Sequence, residues 1–258
     1  MRFLSVVGRV VLSFFLSACG AAVSASPSAT TSAATNTEAT TSGSWPVPDK
    51  VIALTFDDGP STRTMVEILD LLKQYDAKGT FFLVGRKIDN ATIPILERAV
   101  AEGHEFGNHS MNHLKMKTLT DNEILSEIAE CQKAVKDAVN VDMNYFRAPY
   151  LSISSQMYDL IQMPFIHASI SAGDGRVNSS TAADRAWQVT SKAYDGAMVA
   201  MHCMQKNDAT VEALKTILPE LKAQGYDFVT VTELYTRNGG EAPVTRPGVP
   251  YRDNQPIE

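Results

Sequence analysis

Thr55-Phe56-Asp57-Asp58-Gly59-Pro60 closes an apolar run that begins at Val51, and it sets two adjacent carboxylates directly before a chain-reversing Gly-Pro. The run has the composition of a buried strand, so both carboxylates stand at a strand's carboxyl end. Neighbours along a strand point in different directions, and such a pair can divide labour, one side chain binding a cation and the other taking a proton. Some fifty residues further on, His109-Ser110-Met111-Asn112-His113 offers the imidazoles that such a cation needs.

Around this stretch, short β-like runs alternate with helical patterns, the signature of a parallel βα architecture. Seven strands are expected near 51–56, 79–84, 104–107, 144–146, 164–170, 198–201 and 228–231. Helices are expected near 64–74, 92–102, 121–138, 154–162, 181–193 and 210–224. The third helix has the strongest signal: Thr120-Asp121-Asn122-Glu123 is a capping box, and Ile124, Ile128, Cys131 and Val135 mark one face. Gly225 closes the last helix as a left-handed cap.

With 258 residues, 44% hydrophobic and 20% charged, the chain has room for one α/β barrel-like domain and additional segments. A formal charge of −6 and the lack of a basic run argue against nucleic acid as a partner. The amino terminus reads as a targeting segment: Arg2, then an apolar core from Val10 to Leu16 that is too short to span a bilayer permanently. Leu16-Ser17-Ala18-Cys19 resembles the bacterial lipobox, in which the cysteine becomes the lipidated first residue and anchors the protein to the membrane. An ordinary cleaved signal, leaving a secreted protein, is the alternative. The chain therefore divides into a lipoprotein-type signal peptide (1–18), a Ser/Thr/Ala-rich flexible linker (19–46), a single catalytic domain (47–236) and a polar, loosely ordered tail (237–258). The expected location is extracytoplasmic, and a monomer is expected. Cys131 and Cys203 could form a disulfide outside the cell, but their contexts favour two separate buried thiols.

The polar residues fall in a pattern. Asp57 and Asp58 follow the first strand, His109 and His113 the third, Arg147 the fourth, Asp174 the fifth and His202 the sixth, all at carboxyl ends, which share one face in a parallel barrel. His109 and His113, four apart, would lie on one face of a helical turn; alone they could be a hydrogen-bonded surface pair. With Asp58 they make a two-His, one-carboxylate site suited to Zn2+, and also to Co2+, Ni2+ or Fe2+. Such an ion lowers the pKa of a bound water and polarises a carbonyl. Asp57 would then be the general base, or otherwise a turn residue, and Arg147 would hold it ionised. His202 would protonate the leaving group with Asp174 fixing its tautomer, or else be a satisfied core histidine. His104 and His167 read as structural, and Trp187 as helix core. The sum is a secreted, metal-dependent hydrolase.

The motifs TFDDGP, HSMNH, RAPY, the Asp of AGDGR and the His of VAMH resemble, in this order, the polysaccharide deacetylases of carbohydrate esterase family 4. The resemblance runs from about Val51 to Leu234. It implies a distorted (β/α)7 barrel that removes acetyl groups from peptidoglycan, chitin-like polymers or xylan. It implies Asp57 as base, Asp58, His109 and His113 as metal ligands, His202 as acid, Arg147 steadying Asp57 and Asp174 steadying His202. It also assigns the backbone amide of Tyr150 to oxyanion stabilisation. For a membrane-tethered enzyme the N-acetyl groups of peptidoglycan are the natural substrate, with O-acetyl xylan esterase activity or a weakened glycan-binding homologue as alternatives. Two positions depart from the family pattern: Gly175 stands in place of Trp and Ala200 in place of Leu. They imply either a wider or differently lined acyl pocket, filled in part by Met201, Met204 or a neighbouring loop, or compensation from elsewhere in the chain.

Overall fold

The structure is a computed structural model that describes residues 50–237 and the backbone of 250–252 and 255–256. The expected signal peptide 1–18 with its lipobox, the linker 19–46 including Cys19, and most of the tail 237–258 lie outside the described residues.

The organising strand is β1 (Lys50–Gly59), and it is buried along nearly its whole length. The other strands of the barrel are β2 (Gly79–Leu83), β3 (Glu105–Asn108), β4 (Phe165–Ile166), β5 (Ile170–Ser171), β6 (Ala197–His202) and β7 (Tyr226–Phe228), of which β2, β6 and β7 pair with β1 in parallel. The ladder runs β3-β2-β1-β6-β5, and β7 pairs with the first residues of β1. Single bridges, Asn108 to Phe146 and Phe146 to Phe165, carry the sheet on from β3 to β4. The result is a distorted parallel barrel in a single catalytic domain.

Strand alternation divides the apolar residues between two cores. Ile52, Leu54 and Phe56 of β1 and Val199 and Met201 of β6 face outward, into the layer between sheet and helices. Val51 and Ala53 of β1, with Phe82 and Met198, face the barrel interior. Six helices cover the sheet: α1 (Thr64–Gln74), α2 (Ile93–Ala101), α3 (Asp121–Val139), α4 (Ser155–Leu160), α5 (Ala182–Thr190) and α6 (Asp208–Ala223). The capping box at Thr120 and Glu123 is present. Cys131 and Cys203 are both free and buried, as the sequence suggests.

Several expectations need correction. The strand expected at 144–146 contributes only the bridging residue Phe146, and the one expected at 164–170 is broken into β4 and β5. The last strand ends at Phe228 and is followed by α7 (Val231–Arg237), whose start is fixed by hydrogen bonds from the Val231 amide to Thr80 and from the Thr232 amide to Glu105. The tail contributes two short strands, β8 (Pro250–Arg252), paired with β4, and β9 (Gln255–Pro256). Trp187 is 61% exposed and is not helix core. The buried face of α5 runs through Arg185, Ala186 and Val189, and Trp187 is turned about 200° from Val189.

Gly107 connects this packing to the barrel mouth. A Cβ at Gly107 would come within 2.4 Å of the Phe82 ring, and that ring lies 4.1 Å below the Arg147 guanidinium. Gly107→Ala is expected to displace Phe82 and cost about 1–3 kcal/mol, read as a lower urea midpoint. An unchanged midpoint would contradict this packing.

Candidate metal and catalytic site

The site begins with an irregularity in β1. Phe56 pairs with Phe81 and Gly59 with Leu83, so Asp57 and Asp58 together occupy the space that Phe82 alone fills on β2. This is a β-bulge. Asp58 adopts a left-handed φ of 66°, a conformation that Asp tolerates better than most residues, and the Lys87 ammonium donates to its carbonyl at 2.7 Å. The bulge breaks the alternation that would otherwise turn the two carboxylates to opposite faces. Asp57, Asp58, His109, His113, Arg147, Tyr150 and His202 consequently line one cavity of about 270 Å3. Of the expected site residues only Asp174 is absent from that lining; it lies fully buried behind His202.

Asp58, His109 and His113 form the metal candidate, each offering an atom within 4.8 Å of the others. The histidines reach this arrangement from a loop and not from the expected helical turn, with left-handed φ at Ser110 and His113. Glu127 of α3 holds the loop: its carboxylate accepts from the Asn112 amide and side chain, both at 2.7 Å. His109 donates through Nδ1 to the Arg147 carbonyl at 2.7 Å, which leaves Nε2 as an unprotonated donor in the neutral ring. That Nε2 lies 3.5 Å and His113 Nε2 2.9 Å from Asp58 Oδ1. Yet this oxygen is buried with no aligned hydrogen-bond partner. Lone pairs converging on one point, with an anionic oxygen left unsatisfied, fit a shared divalent cation. Burial alone would raise the Asp58 carboxyl, but as imidazolium ions the two histidines override it and hold it well below the ordinary carboxylate range, whereas as neutral rings they present lone pairs to a cation.

Asp57 faces the barrel interior, 6% exposed. Arg147 Nη1 meets its Oδ1 at 2.6 Å and also donates to Thr55 Oγ1 at 2.8 Å, while Nε donates to the Ile166 carbonyl at 3.1 Å. A guanidinium fixed in this way balances the charge of a buried carboxylate and holds it in one orientation. Directly across the ladder, Asp57 pairs in register with His202. His202 Nδ1 donates to Asp174 Oδ1 at 2.8 Å, and its backbone amide donates to Oδ2 at 2.8 Å. Burial works against the imidazolium, but the bond to Asp174 and the charges of Asp57, Asp174 and Asp58 outweigh it, and the pKa is raised to about 9. The ring is thus protonated through neutral pH, with Nε2 free to give its proton away. His104, by contrast, is structural: it is buried, with Nδ1 accepting from the Gly79 amide at 3.2 Å.

Ala168, Ser171, Gly175 and Ala200 complete the cavity wall near His202. Met201 is fully buried in the outer core, and neither it nor Met204 lines the cavity. Glu127 was not among the expected functional residues. The available signal was an acidic side chain at the position where Ile124 and Cys131 define a buried helix face.

The sequence profile described as Polysaccharide deacetylase matches residues 45–163. A peptidoglycan-N-acetylglucosamine deacetylase of Bacillus cereus is 36% identical over 211 residues, covering 76% of this chain and 94% of the relative. A bifunctional xylanase/deacetylase of Pseudobutyrivibrio xylanivorans is 40% identical over 203 residues, 79% of this chain but only 32% of the relative, so the present chain spans about a third of that protein. Among solved structures, a family 4 acetyl xylan esterase from Clostridium thermocellum in complex with a cobalt ion superposes with a TM-score of 0.73 at 35% identity, covering 80% of this chain and 98% of the other.

Metal binding can be measured directly. Zinc should raise the melting temperature of the purified protein. Asp58→Asn and His113→Ala should each weaken zinc, by calorimetry, more than the roughly 10–100-fold that outer-shell partners cost. Wild-type affinity in both variants would rule out this ligand set.

Proposed function

Because the chain belongs to the polysaccharide deacetylase family, we propose that it removes acetyl groups from an extracellular polysaccharide, principally the N-acetyl groups of peptidoglycan. The observation that carries this reading is a single cavity lined by an Arg-fixed carboxylate, a histidine backed by the buried Asp174 and a two-His, one-carboxylate candidate cation site. Zinc is the ion we assign to Asp58, His109 and His113, and when bound it supplies Lewis-acid polarisation of the acetyl carbonyl and a more acidic water.

The remaining steps belong to the chain's own groups. Asp57, steadied by Arg147 through Oδ1, takes a proton from the attacking water with its other oxygen. The backbone amide of Tyr150, at the rim of the cavity, donates to the oxygen of the tetrahedral intermediate. As the C–N bond breaks, His202 gives its Nε2 proton to the departing amine, and Asp174 holds the ring in the tautomer and orientation that this requires. Acetate and a free amino sugar result.

The preference for peptidoglycan rests on Leu16-Ser17-Ala18-Cys19 and the linker behind it. Lipidation at Cys19 would hold the enzyme at the outer face of the membrane, within reach of the cell's own wall. Release of O-acetyl groups from xylan is the second reading, favoured by the likeness to the xylanase/deacetylase and the acetyl xylan esterase.

The acyl pocket is expected to be permissive. Gly175 presents no side chain beside His202, where even a Cβ would sit 3.4 Å from the ring, and Ala200 faces the same cavity. Zinc-loaded protein should release acetate from N-acetylglucosamine oligomers faster than from acetylated xylan, and should also accept N-propionyl oligomers. Asp57→Asn should lower kcat by about 10²–10⁴-fold while zinc binding persists. Faster release from xylan would reverse the substrate assignment, strict rejection of propionyl groups would exclude the open pocket, and full activity of the variant would exclude Asp57 as the base.

A further inference from the structure

Behind the His202–Asp174 pair lies Arg185 of α5, fully buried. All five of its N–H groups go to uncharged acceptors. Nε donates to Ser180 Oγ at 3.1 Å, and Nη1 donates to Asn207 Oδ1 at 2.6 Å and to Thr210 Oγ1 at 2.8 Å. Nη2 donates to the carbonyls of Val177 at 3.2 Å and Arg176 at 3.4 Å. Burial pushes the guanidinium below its ordinary value, and the charge of Asp174 is what opposes that push. A buried cation without a carboxylate in contact is a costly way to tie a loop together, since neutral donors could make the same bonds.

The two side chains on Nη1 explain why a cation is useful there. A threonine hydroxyl and an asparagine amide can each donate or accept, so neither has an intrinsic polarity. A guanidinium can only donate. Because it occupies the Thr210 oxygen, the Thr210 proton is directed to Asp174 Oδ2, 2.7 Å away. Because it occupies Asn207 Oδ1, the Asn207 amino group is directed to the His202 carbonyl, 3.0 Å away. Asp174 Oδ2 thus accepts from Thr210 and the His202 amide, while Oδ1 accepts from the His202 ring.

We propose that Arg185 is a positioning residue for the proton-donating pair, setting through Thr210 and Asn207 the orientation of Asp174 and His202 and the strength with which His202 holds its proton. This rests on His202 acting as the proton donor. The charges facing His202 are Asp174, Asp57 and Asp58, with Arg147 paired to Asp57. None of these is replaced in an Arg185 or Thr210 variant, and Thr210→Val, which keeps the Arg185 charge, separates the relay from the direct effect of that charge on Asp174. Losing the cation, or the Thr210 hydroxyl, leaves the Asp174 carboxylate less neutralised and makes His202 a weaker acid.

The test is a histidine NMR titration of the zinc-loaded protein, with His202 assigned by its absence from His202→Gln, in parallel with pH profiles of kcat on N-acetylglucosamine oligomers. Arg185→Gln and Thr210→Val should each raise the His202 pKa by about half a unit or more, move the alkaline limb of kcat upward and lower kcat with little change in KM. Arg185→Lys should recover most of the difference, and Asp174→Asn should move the limb the opposite way. Should Arg185→Gln fail to fold, Thr210→Val, which keeps the side-chain shape, carries the test. A wild-type His202 titration in Arg185→Gln or Thr210→Val would overturn the proposal. A wild type with no turnover on any acetylated glycan would count against the deacetylase reading, and the titration would still decide the role of Arg185.

Discussion

A β-strand sends successive side chains to opposite faces, and two adjacent carboxylates can share a rim only if that alternation is broken between them. In β1 the break is the bulge at Asp58. Up to Asp57 the strand is regular, and the period-2 pattern that buries Val51 and Ala53 inside the barrel also carries Thr55 and Asp57 inward, onto Arg147. One left-handed residue later, Asp58 faces His109 and His113. The candidate cation site and the proposed base are therefore separated by a single peptide unit and belong to different networks.

Burial makes the assembly work and also makes it demanding. Arg147 and Arg185 are among the largest fully buried side chains, and both are positive. Arg147 is matched directly by Asp57 and rests on the Phe82 ring; Arg185 is matched only at one remove, through Thr210, by Asp174. Removing one partner from such a set strands the other charge in a low-dielectric interior. The barrel mouth alternates these charges along the β1–β6 pair, so that a fixed carboxylate and a fixed imidazolium face the same cavity from neighbouring strands.

Long, periodic elements were legible in the sequence, and pairings between short segments were not. The strand from Val51, α1 and α3 carry their signals locally, in unbroken apolar runs and a capping box. Phe146, β4 and β5 have too few residues to show a period, and their bridges are made by residues distant in the chain. The strand-end residues were identifiable because polar side chains after apolar runs collect on one face of a parallel barrel. A spacing of four suits a helical turn and equally a loop held by Glu127, so it does not reveal the route by which His109 and His113 converge. Arg185 and Glu127 are illegible for a shared reason: a charge on an apolar helix face shows that it is buried, but not what it touches.

The division of roles between Asp57 and Asp58 is the central claim, and an anomalous difference map from zinc-loaded crystals tests it most directly. One peak is predicted at about 2.0–2.2 Å from a carboxylate oxygen of Asp58 and from Nε2 of both His109 and His113, with Asp57 on Arg147 and outside the coordination shell. A peak ligated by Asp57, or one lying away from His109 and His113, would contradict the account.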